Sequence, residues 1–223
     1  MTLHKEGTNL LISVAVVLAV INLSVFALSD LGGLRYTILG VSVILYLLVV
    51  NFFRYIPRKH PRSEDDSVVV APADGKVVVV EETFENEILG EKCLQVSIFM
   101  NIFNMHVNWM PTNGIVTHKS HHNGRFMAAN LPKSSTENER SAVVIRKQNG
   151  QKVLVRQIAG AIAQRIVTYS DIGEAARIND NLGFIKFGSR VDLYLPLKSR
   201  ILVKVGDKVD GNINVIAELP SNE

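Results

Sequence analysis

The chain has 223 residues, 47% hydrophobic and 20% charged, so it has one modest domain's length and more apolar content than such a core needs, which excludes a disordered or collagen-like chain. Its 24 Lys plus Arg against 21 Asp plus Glu leave a formal charge of +3, an excess that a basic flank beside a membrane explains and that does not mark a nucleic-acid binder. Cys93 is the only cysteine, which excludes an intrachain disulfide and a cysteine zinc cluster and makes a reducing setting the expectation.

In chain order, the apolar surplus comes first. Leu10 to Leu28 and Tyr36 to Phe53 hold no charged residue. At about 1.5 Å per residue each run spans roughly 27 to 28 Å as a helix, close to the hydrocarbon thickness of about 30 Å. The short connection from Ser29 to Arg35, with Gly32 and Gly33, fits a tight turn, so residues 1–56 are expected to form a two-helix transmembrane hairpin. Lys5 precedes the first run, and Arg54, Arg58, Lys59 and Arg62 follow the second, which predicts a cell-membrane protein with the remaining chain on the cytoplasmic side. Ala27-Leu28-Ser29 also fits a signal-peptide cleavage site, but a second uncleaved run would still hold the protein in the membrane.

Residues 57–67 read as a solvated linker of prolines and charges, and 68–223 as the soluble domain. Short Val- and Ile-rich runs such as Val77 to Val80, Cys93 to Phe99, Val153 to Val155 and Arg190 to Leu195 alternate with turn signals such as Asp74-Gly75, Asn113-Gly114 and Asn149-Gly150. Only Ser170 to Ile178 reads as helical, so the expectation is a mostly β barrel or sandwich with few short helices. Val203 to Gly211 resembles a turn of lipoyl and biotinyl carrier domains, although no lysine stands in the context such carriers modify. That keeps one alternative in view: a non-catalytic, membrane-anchored β carrier or adaptor module.

Near the C-terminus the chain reads Gly183-Phe184-Ile185-Lys186-Phe187-Gly188-Ser189-Arg190-Val191-Asp192. A Gly-Ser pair alone is most often a turn. This one follows Asp74 in Pro72-Ala73-Asp74-Gly75-Lys76 and His106 in Asn101-Ile102-Phe103-Asn104-Met105-His106-Val107-Asn108-Trp109-Met110-Pro111. In that order, and after Phe52-Phe53-Arg54, the set resembles the phosphatidylserine decarboxylase family in its short, membrane-associated, pyruvoyl-dependent form, from about Phe52 to Ala217. The chain departs from that pattern at Trp109, where longer members carry a second His, and at Phe52-Phe53-Arg54-Tyr55-Ile56-Pro57, which replaces a Phe-Phe-Arg-Asp-Pro run.

The resemblance implies self-cleavage between Gly188 and Ser189 into a β chain, 1–188, and an α chain, 189–223, that remain together as a heterodimer. It also implies that Ser189 becomes a covalent pyruvoyl group, the cofactor, which binds the amine of phosphatidylserine as a Schiff base and releases carbon dioxide to leave phosphatidylethanolamine. A serine hydroxyl needs a base within hydrogen-bond reach, and His106 oriented by Asp74 is the candidate, with His106 also able to return a proton to the product. Lys186, Arg190 and Arg140 are the cations expected to meet the anionic phospholipid, Arg140 within an Asn138-Glu139-Arg140 run similar to one in the family. His118, His121 and His122 read as a solvated loop and not a metal site, since adjacent residues of a strand face opposite sides. Cys93 reads as a small buried hydrophobe. A homo-oligomer is left open, and no nucleic-acid partner is expected.

Overall fold

The computed structural model describes residues 1–124, 138–160, 165–186 and 189–221. It divides into two compact units, Met1–Pro57 and Arg58–Glu223.

In the first unit, α1 (Thr8–Leu28) and α2 (Gly32–Phe52) are both long and apolar enough to cross a membrane. Their apolar side chains are mostly exposed, with only Leu11 buried in α1 and only Ser42 and Phe52 in α2, which is how a helix in lipid looks and not how a core helix looks. The connection is shorter than the sequence suggested, because α2 already begins at Gly32. Arg35 therefore lies inside α2, and its Nη2 donates to the Phe26 carbonyl at 2.9 Å, satisfying one acceptor left open at the end of α1. Asn22 Nδ2 donates to Ser42 Oγ at 2.8 Å, a polar tie between the helices where lipid offers neither group a partner. Strands β1 (Thr2–Leu3) and β2 (Arg54–Tyr55) pair antiparallel and close the open end of the hairpin.

The second unit is built of β3 (Val68–Val70), β4 (Gly75–Glu85), β5 (Glu91–Met100), β6 (Val107–Trp109), β7 (Gly114–His122), β8 (Arg140–Arg146), β9 (Lys152–Ala159), β10 (Arg165–Thr168), β11 (Ala175–Ala176), β12 (Asn181–Lys186), β13 (Ser189–Pro196), β14 (Arg200–Ile201), β15 (Lys208–Val209) and β16 (Val215–Glu218). Eight of them form a curled antiparallel half-barrel in the order β11-β7-β8-β9-β13-β5-β4-β15. The sheets β10-β12-β6 and β14-β16-β3 cover its inner face. Strand alternation sends Val191, Leu193 and Leu195 of β13 into one core with Val96, Ile98, Val143, Ile145, Val153 and Val155 of the neighbouring strands, where Ile185 and Ile216 meet them. Each such side chain stabilises the fold by about 1.5 to 3 kcal/mol relative to exposure.

Two expectations are corrected here. Ser170 to Ile178 is not a helix. Asp171 and Glu174 close a turn, the Val116 N–H donates to the Glu174 carbonyl at 2.9 Å, and Ala175–Ala176 then pair with Gly114 and Ile115. The open edge of β7 competes for these backbone groups and wins over local helix preference. Nor is the proposed linker solvated throughout. Arg58 ion-pairs with Asp74, the buried His60 donates its N–H to Asn179 Oδ1 at 2.7 Å, and Asn212 Nδ2 donates to the Arg58 carbonyl at 3.0 Å. Arg58, Arg62, Asp65 and Asp66 find partners within the domain while Lys59 and Glu64 stay exposed, and the division falls at Pro57 and not at 67.

Candidate active site

Ser189 opens β13, the strand with neighbours on both sides near the middle of the half-barrel, and pairs with Met100 of β5 and Ala159 of β9. The alternation that buries Val191 and Leu193 turns Ser189 toward the same inner face. The residue has no solvent exposure, and its Oγ has no hydrogen-bond partner among the described residues. A buried hydroxyl in that state costs stability and leaves its proton and lone pairs uncommitted. Gly188, the expected upstream side of the cut, lies outside the described residues.

His106 lies between the Asn101–Asn104 turn and β6 and is fully buried. Its Nδ1 is 3.0 Å from the Asn104 carbonyl oxygen, which only accepts, so Nδ1 carries the proton and Nε2 carries the lone pair of a base. The Ile185 N–H donates to the His106 carbonyl, so β12, which runs toward Ser189, brings the imidazole to the same end of the barrel.

Asp74 reaches that end as well, since Lys76, Phe99 and Arg190 stand in one row across β4, β5 and β13. Its carboxylate, however, is held by both Arg58 Nη atoms and by the Gly211 N–H at 2.8 Å, not by His106. This corrects the expected Asp-to-His link. A permanent cation competes better for a carboxylate than a neutral imidazole does, and the Asn104 carbonyl takes over the orienting role. The Arg58 guanidinium also lies over Trp109, 5.3 Å from the ring centroid. Trp109 packs so closely on Gly211 that a Cβ there would lie 2.4 Å from the ring. Trp109 is therefore held within an Arg58–Asp74–Gly211 clamp.

A buried polar chain on the inner face was not anticipated. Ser141 Oγ lies 2.7 Å from Thr168 Oγ1, Thr168 donates to Gln157 Oε1 at 2.8 Å, and Gln157 Nε2 donates to Asn108 Oδ1 at 2.7 Å. Asn108 Nδ2 faces Met100 Sδ at 3.7 Å. Because a thioether only accepts, the nitrogen must face it, and this fixes the direction of every bond in the chain. Gly183 makes the room: a Cβ there would lie 2.1 Å from the Val167 carbonyl oxygen and 2.9 Å from Gln157 Nε2. The available signal was a polar residue at inward positions, Asn108 two after His106 and Gln157 two after Val155.

The three expected substrate cations differ in where they point. Arg190 is 2% exposed on the face opposite Ser189, with Nε 2.6 Å from Asp192 Oδ1 and Nη2 donating to Ser97 Oγ. Arg140 pairs with Glu87 at 2.6 Å. Lys186 ends β12 beside His106, opposite Arg165. Asn138 Nδ2 donates to the Ala159 carbonyl at 2.7 Å and so braces the strand next to Ser189. His121 Nε2 lies 3.4 Å from Glu139 Oε1, and among the described residues no group of three or more His, Cys, Asp or Glu side chains forms a metal cluster. Burial pushes the Cys93 thiol up from its ordinary range, against a nucleophilic role.

The phosphatidylserine decarboxylase family model matches residues 45–217. Three relatives, each called phosphatidylserine decarboxylase proenzyme, align along nearly their whole length. The protein of Porphyromonas gingivalis is 54% identical over 220 residues, covering 99% of this chain and 100% of the relative. That of Parabacteroides distasonis is 55% identical over 219 residues, 98% and 99% of the two chains. That of Cytophaga hutchinsonii is 43% identical over 222 residues, 99% and 100%. With the motifs in order, the buried serine at the head of a central strand and this full-length similarity, the chain belongs to the phosphatidylserine decarboxylase family.

Proposed function

We propose that this chain is a self-cleaving proenzyme that converts phosphatidylserine to phosphatidylethanolamine and carbon dioxide with a pyruvoyl group made from Ser189. The observation that carries this reading is the Ser189 hydroxyl, buried and without a partner, at the end of the barrel where His106 presents a lone pair. In maturation, Ser189 Oγ attacks the carbonyl of Gly188 while His106 takes the hydroxyl proton, and the peptide becomes an ester. Loss of the Ser189 Cα proton expels the Gly188 carboxylate, and water then converts the dehydroalanine to the pyruvoyl group and ammonia. The α chain stays bound because β13 is hydrogen-bonded to β5 and β9 on both sides.

Once formed, the pyruvoyl group supplies an electrophilic carbonyl for a primary amine and a sink for the electrons left by the departing carboxylate. A fully buried residue without a competing hydrogen bond suits it, because a dry pocket keeps water from such an electrophile. His106 holds the proton returned to the α-carbon. Asp74 acts through Arg58, keeping Trp109 and the α-chain residue Gly211 in register with the β chain. Of the cations, Lys186, at the end of β12 next to His106, is the one we assign to the anionic head group. The domain works on the cytoplasmic side of the cell membrane, as the basic flank after α2 directs.

Intact mass of purified protein tests maturation and cofactor together. Two chains are expected, the smaller beginning at residue 189 with a blocked pyruvoyl terminus. A single uncut chain in active protein overturns the reading. A reporter fused to the C-terminus should be cytoplasmic.

A further inference from the structure

His106 and Ser189 stand on different sheets. His106 leads into β6 of the covering sheet β10-β12-β6, and Ser189 opens β13 of the half-barrel. Ile166, Leu182 and Ile185 of the cover share one apolar core with Val143, Val155 and Val191 of the half-barrel. Apolar contact is non-directional and lets packed sheets slide, so it does not by itself fix where an imidazole stands against a hydroxyl. The ladder of β6 is itself irregular: its pairing with β12 shifts register between Asn181 and Gly183, at the position of Asn108.

The buried polar chain supplies direction. Its side chains come alternately from the two sheets: Ser141 of β8, Thr168 of β10, Gln157 of β9, Asn108 of β6 and Met100 of β5, so each contact crosses from one sheet to the other. Gln157 stands at the centre. It accepts from Thr168 Oγ1 at 2.8 Å and donates to Asn108 Oδ1 at 2.7 Å, which bonds both outer strands of the cover at once. Gly183 of β12, between those strands, lies so near that a Cβ there would be 2.9 Å from Gln157 Nε2. Gln157 pairs with Val191, two residues after Ser189, and Asn108 follows His106 by two, so its bonds lie close to both reactive candidates. Carboxamides keep their protons at neutral pH, so two of them in series orient neighbours and do not conduct protons.

We infer that Gln157 is a positioning residue: by bonding Thr168 and Asn108 together it fixes the sheet that carries His106 against the sheet that carries Ser189, an inference that rests on the self-cleavage argued above. Hydrogen bonds have set lengths and directions, so a slide of one sheet along the other breaks these two before it disturbs the apolar contacts. A misplacement of about 1 Å between reacting groups costs a large factor in rate, and first-order self-cutting reads that factor without a binding step.

The test uses the full chain synthesised into liposomes, with cutting followed on a gel over time and across pH. Gln157→Leu and Thr168→Val should each cut about tenfold more slowly at every pH, with the midpoint of the pH curve unchanged, because the base is displaced and not retuned. Thr168→Ser keeps the hydroxyl and should return to within about twofold of wild type. Val144→Ala, which trims the outer-face cluster for a comparable loss of stability, should also cut within about twofold. Thr168→Val at the wild-type rate, a shifted midpoint, an equal slowing in Val144→Ala, or a Thr168→Ser as slow as Thr168→Val overturns the inference. Crystal structures of uncut Ser189→Ala with and without Thr168→Val give a measure that needs no cutting. The His106 imidazole should move by about 1 Å or more against β13, and an unmoved imidazole overturns the inference. A wild-type chain that is never cut would sink the self-cleavage reading, and the displacement would still decide the role of Gln157.

Discussion

The two faces of the half-barrel bury polar groups in opposite ways. On the outer face Arg156 reaches Glu85 at 2.7 Å and Glu87 at 2.9 Å, and its Nη1 donates to Tyr194 Oη at 3.0 Å, while Arg190 meets Asp192 at 2.6 Å. Each of these buried charges faces an opposite one. Burial pushes the Tyr194 hydroxyl up, so it stays neutral within the cluster. On the inner face the directed chain from Ser141 to Asn108 runs to the row beside Ser189, and Ser189 Oγ itself is left without a partner. Matched buried charges hold a structure, whereas an unbonded buried hydroxyl keeps its proton and lone pairs available. The contrast is between a charge network on one face and a neutral chain that stops short of Ser189 Oγ on the other.

The sharpest way to break this comparison is Ser189→Ala, which removes both the nucleophile and the pyruvoyl precursor. One uncut chain and complete loss of head-group conversion are expected on a gel and in a lipid assay, with the fold intact. His106→Ala comes next and should lower cutting, turnover or both by about 10² to 10⁴. Cutting followed over time separates the jobs: uncut chain accumulates if His106 is the maturation base, and a cut but slow enzyme results if it only returns the proton. Normal rates in both would remove His106 from the mechanism.

On the outer face the expected loss is of stability. Arg156→Ala leaves the buried Glu85 carboxylate without its cation and should cost about 3 to 5 kcal/mol in a denaturant titration, with the specific activity of the remaining folded protein unchanged. Gly183→Ala should cost less, about 1 to 3 kcal/mol, because its Cβ must displace the Val167 carbonyl or the Gln157 amide. Unlike Arg156→Ala, it should also slow cutting, since it disturbs the inner chain.

The smallest effect is acid dependence. Burial pushes Glu85 up, but the N–H groups of Leu89, Ile88 and Glu87 and the Arg156 guanidinium together bring it below the ordinary carboxylate value. A depressed folded-state value means that this stabilisation is fully present above the unfolded-state value of about 4.3 and is lost as pH falls through the lower folded one. Glu85→Gln should therefore flatten the acid side of the stability profile and leave the neutral pH dependence unchanged. An acid limb identical to wild type would show that Glu85 does not contribute to it.

Much of this was legible in residue order. Long charge-free runs cannot be satisfied in water, so Leu10 to Leu28 and Tyr36 to Phe53 announced the two helices, and α1 and α2 match them to within a few residues. The β character of the domain followed from its branched residues and turn pairs, and Ser189, His106 and Asp74 stood out as a set by motif. What stayed hidden depended on partners distant in sequence. The peptide around Asp171 looked helical because local preference knows nothing of the open edge of β7. Arg58 looked like linker because nothing nearby revealed Asp74 or Gly211 as its partners. Arg190 beside the Gly-Ser pair looked available to a lipid, yet alternation along β13 turns it to the face opposite Ser189 and into Asp192.

The sequence by itself determined the two long apolar helices, the β class of the domain and the candidate serine, because hydrophobic length, strand composition and side-chain chemistry are properties of residues close together in the chain. Only the tertiary structure decided which groups meet: that Asp74 belongs to Arg58, that the Asn104 carbonyl fixes the proton on His106, and that Arg190 belongs to Asp192. The physical reason is that an ion pair or hydrogen bond goes to whichever partner the packed backbone brings within reach, and in an antiparallel barrel that partner comes from a strand tens of residues away.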